Sequence, residues 1–273
     1  MGLVRTQDEL FDLPIGDNGE QEHVPRWLGS VLYGLFQGTT KLLFRYTVDH
    51  LERLRAFKGK SGVVLVSNHT SYLDVVFLYC TCHPDQWIRF IARDSLFEAG
   101  AGVAGFILAR VGAFPIKRDT ADLTAVKRAA KMLKRKEVVG IFPEGTRRGK
   151  GSKEPTLHAG AAMIAKMGKV PMLPATVREA ENIKQKGRGV RFPRVSVDFG
   201  HPVELAWFDE LPKDHRLEAC TWFAMRECFA LSQRIDATQV DMKELFPECP
   251  DYAEVADKIR AEHYGHVLEG AVR

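Results

Sequence analysis

From residue 61 onward, short apolar runs alternate with amphipathic stretches. The run Val63-Val64-Leu65-Val66 has no polar alternation, the pattern of a strand buried on both faces. The same reasoning predicts a helix over residues 71–80, a strand over 87–92, a helix over 95–111 and a short strand over 113–117. Over 121–135, Leu123, Val126, Ala130 and Leu133 recur at helical core spacing, with Lys127, Arg128, Lys131 and Lys134 between them. A strand over 138–142, a helix over 156–167 and a strand over 172–177 follow, and the alternation at 194–199 suits an edge strand. Residues 213–264 have helical patterning, broken at Pro247 and Pro250. The order predicts an α/β fold, a central mostly parallel sheet flanked by helices. An N-terminal amphipathic helical segment precedes it and a C-terminal helical region follows. The expected divisions are an acidic disordered tail over 1–24, a helical segment over 25–57, the α/β core over 58–205 and helices over 206–273.

The segment 27–44, WLGSVLYGLFQGTTKLLF, is mostly apolar but is interrupted by Gln37, Thr39, Thr40 and Lys41. A spanning helix needs roughly 20 consecutive apolar residues. A helix lying in a membrane interface, edged by Arg26 and Arg45, fits the pattern, as does an ordinary packed helix. Residues 99–113 offer a second apolar stretch, whose simpler reading is a helix covering the sheet.

Charge adds direction. The 273 residues carry 39 basic and 35 acidic side chains, a net charge of +4. Acidic residues collect near the start, at Asp8, Glu9, Asp12, Asp17, Glu20 and Glu22. Cations collect at Arg147, Arg148, Lys150 and Lys153, and again at Lys184, Lys186, Arg188, Arg191 and Arg194. Such loops are either solvated turns or patches for phosphorylated metabolites and lipid headgroups. Aromatic residues do not interleave with them, which disfavours a nucleic-acid partner. Five cysteines in a chain this long do not form a disulfide framework, and Cys80 and Cys82 lack a second pair at zinc spacing. Reduced thiols and no bound metal are the expectation. No signal-peptide hydrophobic region is visible in the first twenty residues.

Candidate chemistry begins with Asn68-His69-Thr70-Ser71-Tyr72-Leu73-Asp74, directly after the first apolar strand. A His at a strand end beside an Asp on the following helix can act as a general base with an orienting carboxylate. The same residues also spell a capping box, Ser71-x-x-Asp74, in which Asp74 serves the helix start. Phe142-Pro143-Glu144-Gly145-Thr146-Arg147-Arg148 follows another strand, so Glu144 and His69 fall on one rim if those strands are parallel. Arg147 could grip a phosphate, and Glu144 could meet a hydroxyl or hold an arginine. Read alone, this stretch is equally a charged turn. The spacing from Gly145 to Ser152 departs from a P-loop by one residue. Ile116-Lys117-Arg118 closes a short strand with two cations, and Val170-Pro171-Met172-Leu173-Pro174 is an apolar strand with two prolines.

In their order and spacing these four motifs resemble the glycerolipid acyltransferase family, and within it the 1-acylglycerol-3-phosphate acyltransferase branch. The resemblance covers about residues 61–177. It implies His69 as base and Asp74 as its partner, with Arg118, Glu144, Gly145, Thr146 and Arg147 at the acceptor and Pro174 on the acyl side. It also implies an acyl thioester, on coenzyme A or acyl carrier protein, as co-substrate, and no cofactor. The implied acceptor is a lysophospholipid, 1-acyl-sn-glycerol-3-phosphate, giving phosphatidic acid. The expected place of work is the cytoplasmic face of a membrane, as a peripheral or monotopic protein. Other acceptors such as glycerol 3-phosphate, water as acceptor, and a non-catalytic lipid-binding relative are the alternatives. One departure stands out. The family's Phe-Lys-x-Gly element is Leu157-His158-Ala159-Gly160 here, which replaces a permanent cation with a group that titrates near neutrality. Lys153 or Lys117 could compensate.

Overall fold

The computed structural model describes residues 6–15, 23–25, 27–83, 86–100, 102–117, 122–148, 156–185, 187 and 189–268. Seven strands form one sheet in the order β1-β7-β6-β2-β5-β3-β4. They are β1 (Thr47–Asp49), β2 (Val63–Ser67), β3 (Ile88–Arg93), β4 (Phe114–Ile116), β5 (Val138–Ile141), β6 (Met172–Arg178) and β7 (Ser196–Phe199). All neighbouring pairs are parallel except β6–β7, so β7 and β1 run against the rest. The α/β expectation therefore holds, with a reversed edge.

Alternation along the strands divides the core between two faces. Val64, Val66, Val139 and Met172 point to one, where they pack with helices α7 (Leu123–Lys134), α8 (Gly160–Gly168) and α9 (Arg216–Gln233). Val63, Leu65, Val138 and Leu173 point to the other, against Leu54 of α3 (Leu51–Arg55) and Phe77 and Leu78 of α4 (Leu73–Cys82). Asp122 caps α7 by accepting from the Ala125 N–H at 3.0 Å. The C-terminal helices α9, α10 (Met242–Leu245) and α11 (Ala253–Leu268) share the first core, through residues such as Phe223, Met242 and Tyr264.

Four sequence expectations need correction. The acidic tail is not wholly disordered: α1 (Gln7–Asp12) buries Leu10 and Phe11, and Phe11 meets Phe97 edge-on with centroids 5.2 Å apart. The fully buried Arg89 explains why it docks, for it donates to the carbonyls of Phe11, Leu13 and Gly112 and pairs with Glu137. The segment 25–57 is not all helix, because β1 lies between α2 (Trp27–Phe44) and α3. With β1 in the sheet, β7 is fully buried between two strands and is not an edge. Finally, residues 95–111 form two helices, α5 (Ser95–Glu98) and α6 (Val103–Arg110), separated by Gly100 and Gly102, both at positive φ where glycine is favoured.

Helix α2 forms as predicted but buries only Gly29 and Thr40. A side chain at position 29 would collide with the Trp87 ring, at 2.5 Å, so glycine is what lets the helix approach there. Trp27, Val31, Leu35, Phe36, Leu42 and Leu43 stay exposed. Among the described residues, no helix is long and apolar enough to cross a membrane.

Candidate active site

Because β2 and β5 are parallel neighbours, the loops leaving their carboxyl ends meet on one rim. The β2 loop carries His69 and the β5 loop carries Glu144. His69 Nδ1 lies 3.0 Å from Asp74 Oδ2, on the first turn of α4. The same oxygen accepts the backbone N–H groups of Thr70 and Ser71, each at 2.8 Å. Asp74 thus does both things the sequence allowed, binding the start of the helix and orienting the histidine. Only 1% of its side chain is exposed, against 14% for His69. The His69 ring stacks on Phe142, centroids 4.1 Å apart, and Phe142 stacks in turn on Phe90. With Nδ1 turned to Asp74, Nε2 is the ring nitrogen left to meet a substrate.

Glu144 is buried, and the chain itself engages both of its oxygens. Oε1 accepts the His69 N–H at 2.9 Å, while Oε2 lies 2.6 Å from Arg148 Nε. The Arg148 contact is a charge pairing rather than an aligned hydrogen bond. Burial pushes the Glu144 carboxyl up to about 7, although Arg148 and the His69 N–H both pull it down. Asp74 adds a smaller upward push. The rest of Arg148 is also occupied. Its N–H donates to the His69 carbonyl at 2.9 Å, Nη2 donates to the Leu245 carbonyl at 3.1 Å, and its guanidinium lies 4.8 and 4.4 Å from the centres of Phe229 and Phe246. The sequence allowed Glu144 to hold an arginine without marking Arg148 as the one, and apart from Glu144 and His69 its partners are remote in the chain.

The exposed part of the rim is different. Thr146 is exposed, and the Arg147 guanidinium sits 3.4 Å over the ring of Tyr72, itself 61% exposed. Gly145 has φ 63°, and a Cβ there would lie 3.3 Å from the His158 ring. The His158 N–H donates to the Pro143 carbonyl at 3.1 Å, so the histidine that replaces the family's usual lysine does flank this loop. Glu181, which sequence reasoning passed over, approaches from β6's far end and accepts from Thr70 Oγ1 at 3.4 Å. Pro174 is buried within β6 opposite Val66, where the Gly200 N–H donates to its carbonyl at 2.8 Å. Arg118, Lys150 and Lys153 lie outside the described residues. Cys80 and Cys82 are free and buried, and burial pushes the Cys80 thiol up to about 11, which makes a poor nucleophile.

A mostly parallel sheet with a His–Asp pair on one rim and a Glu–Gly–Thr–Arg loop beside it defines the class. A family profile described as Acyltransferase matches residues 45–178, and the chain belongs to the acyltransferase family. A Bacillus subtilis protein named 1-acyl-sn-glycerol-3-phosphate acyltransferase is 34% identical over 188 residues, 68% of this chain and 85% of that protein. A Streptococcus pneumoniae protein of the same name is 31% identical, and the match spans 52% of this chain and half of that protein. Among solved structures, the 1-acyl-sn-glycerophosphate acyltransferase PlsC of Thermotoga maritima shares the fold. Its TM-score is 0.54 at 21% identity, covering 74% of this chain and 78% of that one.

Proposed function

We propose that this protein transfers a fatty acyl group from an acyl thioester to the free hydroxyl of 1-acyl-sn-glycerol-3-phosphate, giving phosphatidic acid. The observation that carries the reading is the His69–Asp74 pair, held at 3.0 Å by a carboxylate that also binds the loop backbone. The Bacillus subtilis relative supports the choice of acceptor, since the likeness runs through most of its length.

In the proposed reaction, His69 Nε2 takes the acceptor hydroxyl proton as the oxygen attacks the thioester carbonyl. Asp74 receives the Nδ1–H bond and stabilises the imidazolium. The tetrahedral intermediate collapses with cleavage of the carbon–sulfur bond, and the imidazolium returns the proton to the departing thiolate. No acyl-enzyme is required. Arg147 and Arg118 are proposed to hold the phosphate, with Gly145 and Thr146 lining its approach and Pro174 shaping the acyl side. Glu144 serves the acceptor site indirectly, by fixing the loop that carries His69. Much of the gain is positioning of two substrates, to which general-base action adds ~10²–10⁴-fold.

The lysophospholipid acceptor lives in a bilayer, and α2 offers a surface for one. Its exposed Trp27, Leu35 and Leu42 would enter the headgroup boundary on the cytoplasmic face, where the acyl thioester is available. The test is product analysis with one acyl thioester and a panel of acceptors. Phosphatidic acid from lysophosphatidate is the expected outcome. Free fatty acid alone would mean water is the acceptor, and a product from glycerol 3-phosphate alone would move the reading to that acceptor.

A further inference from the structure

Arg148 joins the His69 loop to a distant part of the chain. Its backbone N–H holds the His69 carbonyl, and its side chain holds Glu144, which in turn holds the His69 N–H. His69 is therefore gripped at both of its peptide groups, and both grips lead back to one residue. The far end of Arg148 reaches the Leu245 carbonyl, 97 positions along the chain, at the end of α10. There its guanidinium lies between Phe229 of α9 and Phe246, whose rings are 5.9 Å apart. Only 21% of the side chain is exposed. This residue is built into the protein and has little surface left for an anionic substrate.

We infer that Arg148 is a positioning residue for the acyl transfer: it locks the His69 loop onto the C-terminal helices, so that α9 and the carboxyl end of α10 belong to the frame of the active site. The inference rests on the transfer reaction proposed above. Three features support it. The guanidinium spans its two partners with different nitrogens, Nε toward Glu144 and Nη2 toward the Leu245 carbonyl, a fork that the single nitrogen of an ammonium does not reproduce. Glu144 is buried, so its charge needs a partner, and Arg148 is the cation that faces it. Among the described residues, the other titratable groups that face Glu144 are His69, Asp74 and Cys228, none of which replaces that charge. His69 must also hold its ring within about an ångström of the productive pose, since a misplacement of that size can cost ~10²-fold.

The test is a double-mutant cycle between Arg148→Met and Glu144→Gln on the full chain, with Arg148→Lys as a variant that keeps the charge. In Arg148→Met, kcat should fall on the order of 10²-fold, with the KM for lysophosphatidate changing little. The same substitution made in Glu144→Gln should cost far less, because the link it breaks is already broken. Arg148→Lys should recover part of the loss. Hydrogen exchange at the His69 amide supplies a readout that needs no activity: it should quicken in Arg148→Met and stay near wild type in Arg147→Ala. Unchanged kcat, additive losses in the cycle, or an unchanged His69 exchange rate would overturn the inference. If the wild-type protein makes no phosphatidic acid, the proposed reaction fails, and the exchange experiment still decides whether Arg148 holds the loop.

Discussion

On one side of His69 the rim is buried and closed; on the other it is open. Asp74 and Glu144 have almost no exposed surface, and their oxygens receive backbone N–H groups from the His69 loop. Tyr72, Thr146 and Arg147 lie exposed or half-exposed, and the Arg147 guanidinium rests over the Tyr72 ring. The two arginines of one loop illustrate the contrast, since Arg148 points into the protein and Arg147 out of it. The difference teaches how this fold divides its labour. The loop that carries His69 is fixed by buried carboxyl groups bonded to its backbone, while the residues proposed to meet the acceptor keep room to adjust.

That contrast makes graded predictions. The largest effect belongs to His69→Ala, which should lower kcat by ~10²–10⁴-fold with the thermal midpoint nearly unchanged; appreciable turnover would remove His69 from the chemistry. Arg147→Ala should act on the open side alone, raising the KM for lysophosphatidate about tenfold, the equivalent of ~1.4 kcal/mol, with the KM for the acyl donor steady. A matching rise for the donor would erase the distinction between the two sides. Smaller still is a pH effect on stability. Glu144 holds its proton more tightly folded, at about 7, than an ordinary carboxyl does. Folding is therefore favoured where the group is protonated, and that contribution is lost as pH rises from the ordinary carboxyl range through about 7. The thermal midpoint of wild type should decline across that window more than that of Glu144→Gln, and equal slopes would mean Glu144 does not titrate there. The least effect on chemistry should come from α2. Leu35→Glu with Leu42→Glu should release the protein from anionic vesicles while leaving kcat on a dispersed short-chain acceptor intact. Retained vesicle binding would assign the membrane contact to another surface.

The parts of this architecture carried by local pattern were legible in the sequence. Val63–Ser67 and the strand around Val138 announced themselves because both faces are covered, and His-x4-Asp announced itself because its two members share one turn. Short or remote features were not. Strand β1 has three residues, too few to establish alternation against the helical residues on either side. The α5–α6 break depends on two glycines that a helical window tolerates. Arg148 looked like one more loop cation because its remote partners, Leu245 and Phe246, are brought to it by the fold alone. The ambiguity at Asp74 also had a physical source, since capping and orienting use the same carboxylate oxygen.

Arg89 bears on the order in which the molecule can be assembled. Its guanidinium collects carbonyls from residues 11 and 13, 78 and 76 positions away, together with Gly112 and Glu137. Asp12 likewise waits for Arg128, 116 positions later. Closing loops of that length carries an entropic cost that local contacts do not repay. Residues 11–13 are thus held by partners far along the chain, which no local element supplies. The short helix α1 therefore depends on a core that is already assembled, and Arg89→Met should quicken hydrogen exchange over residues 7–13 while the central strands keep their protection.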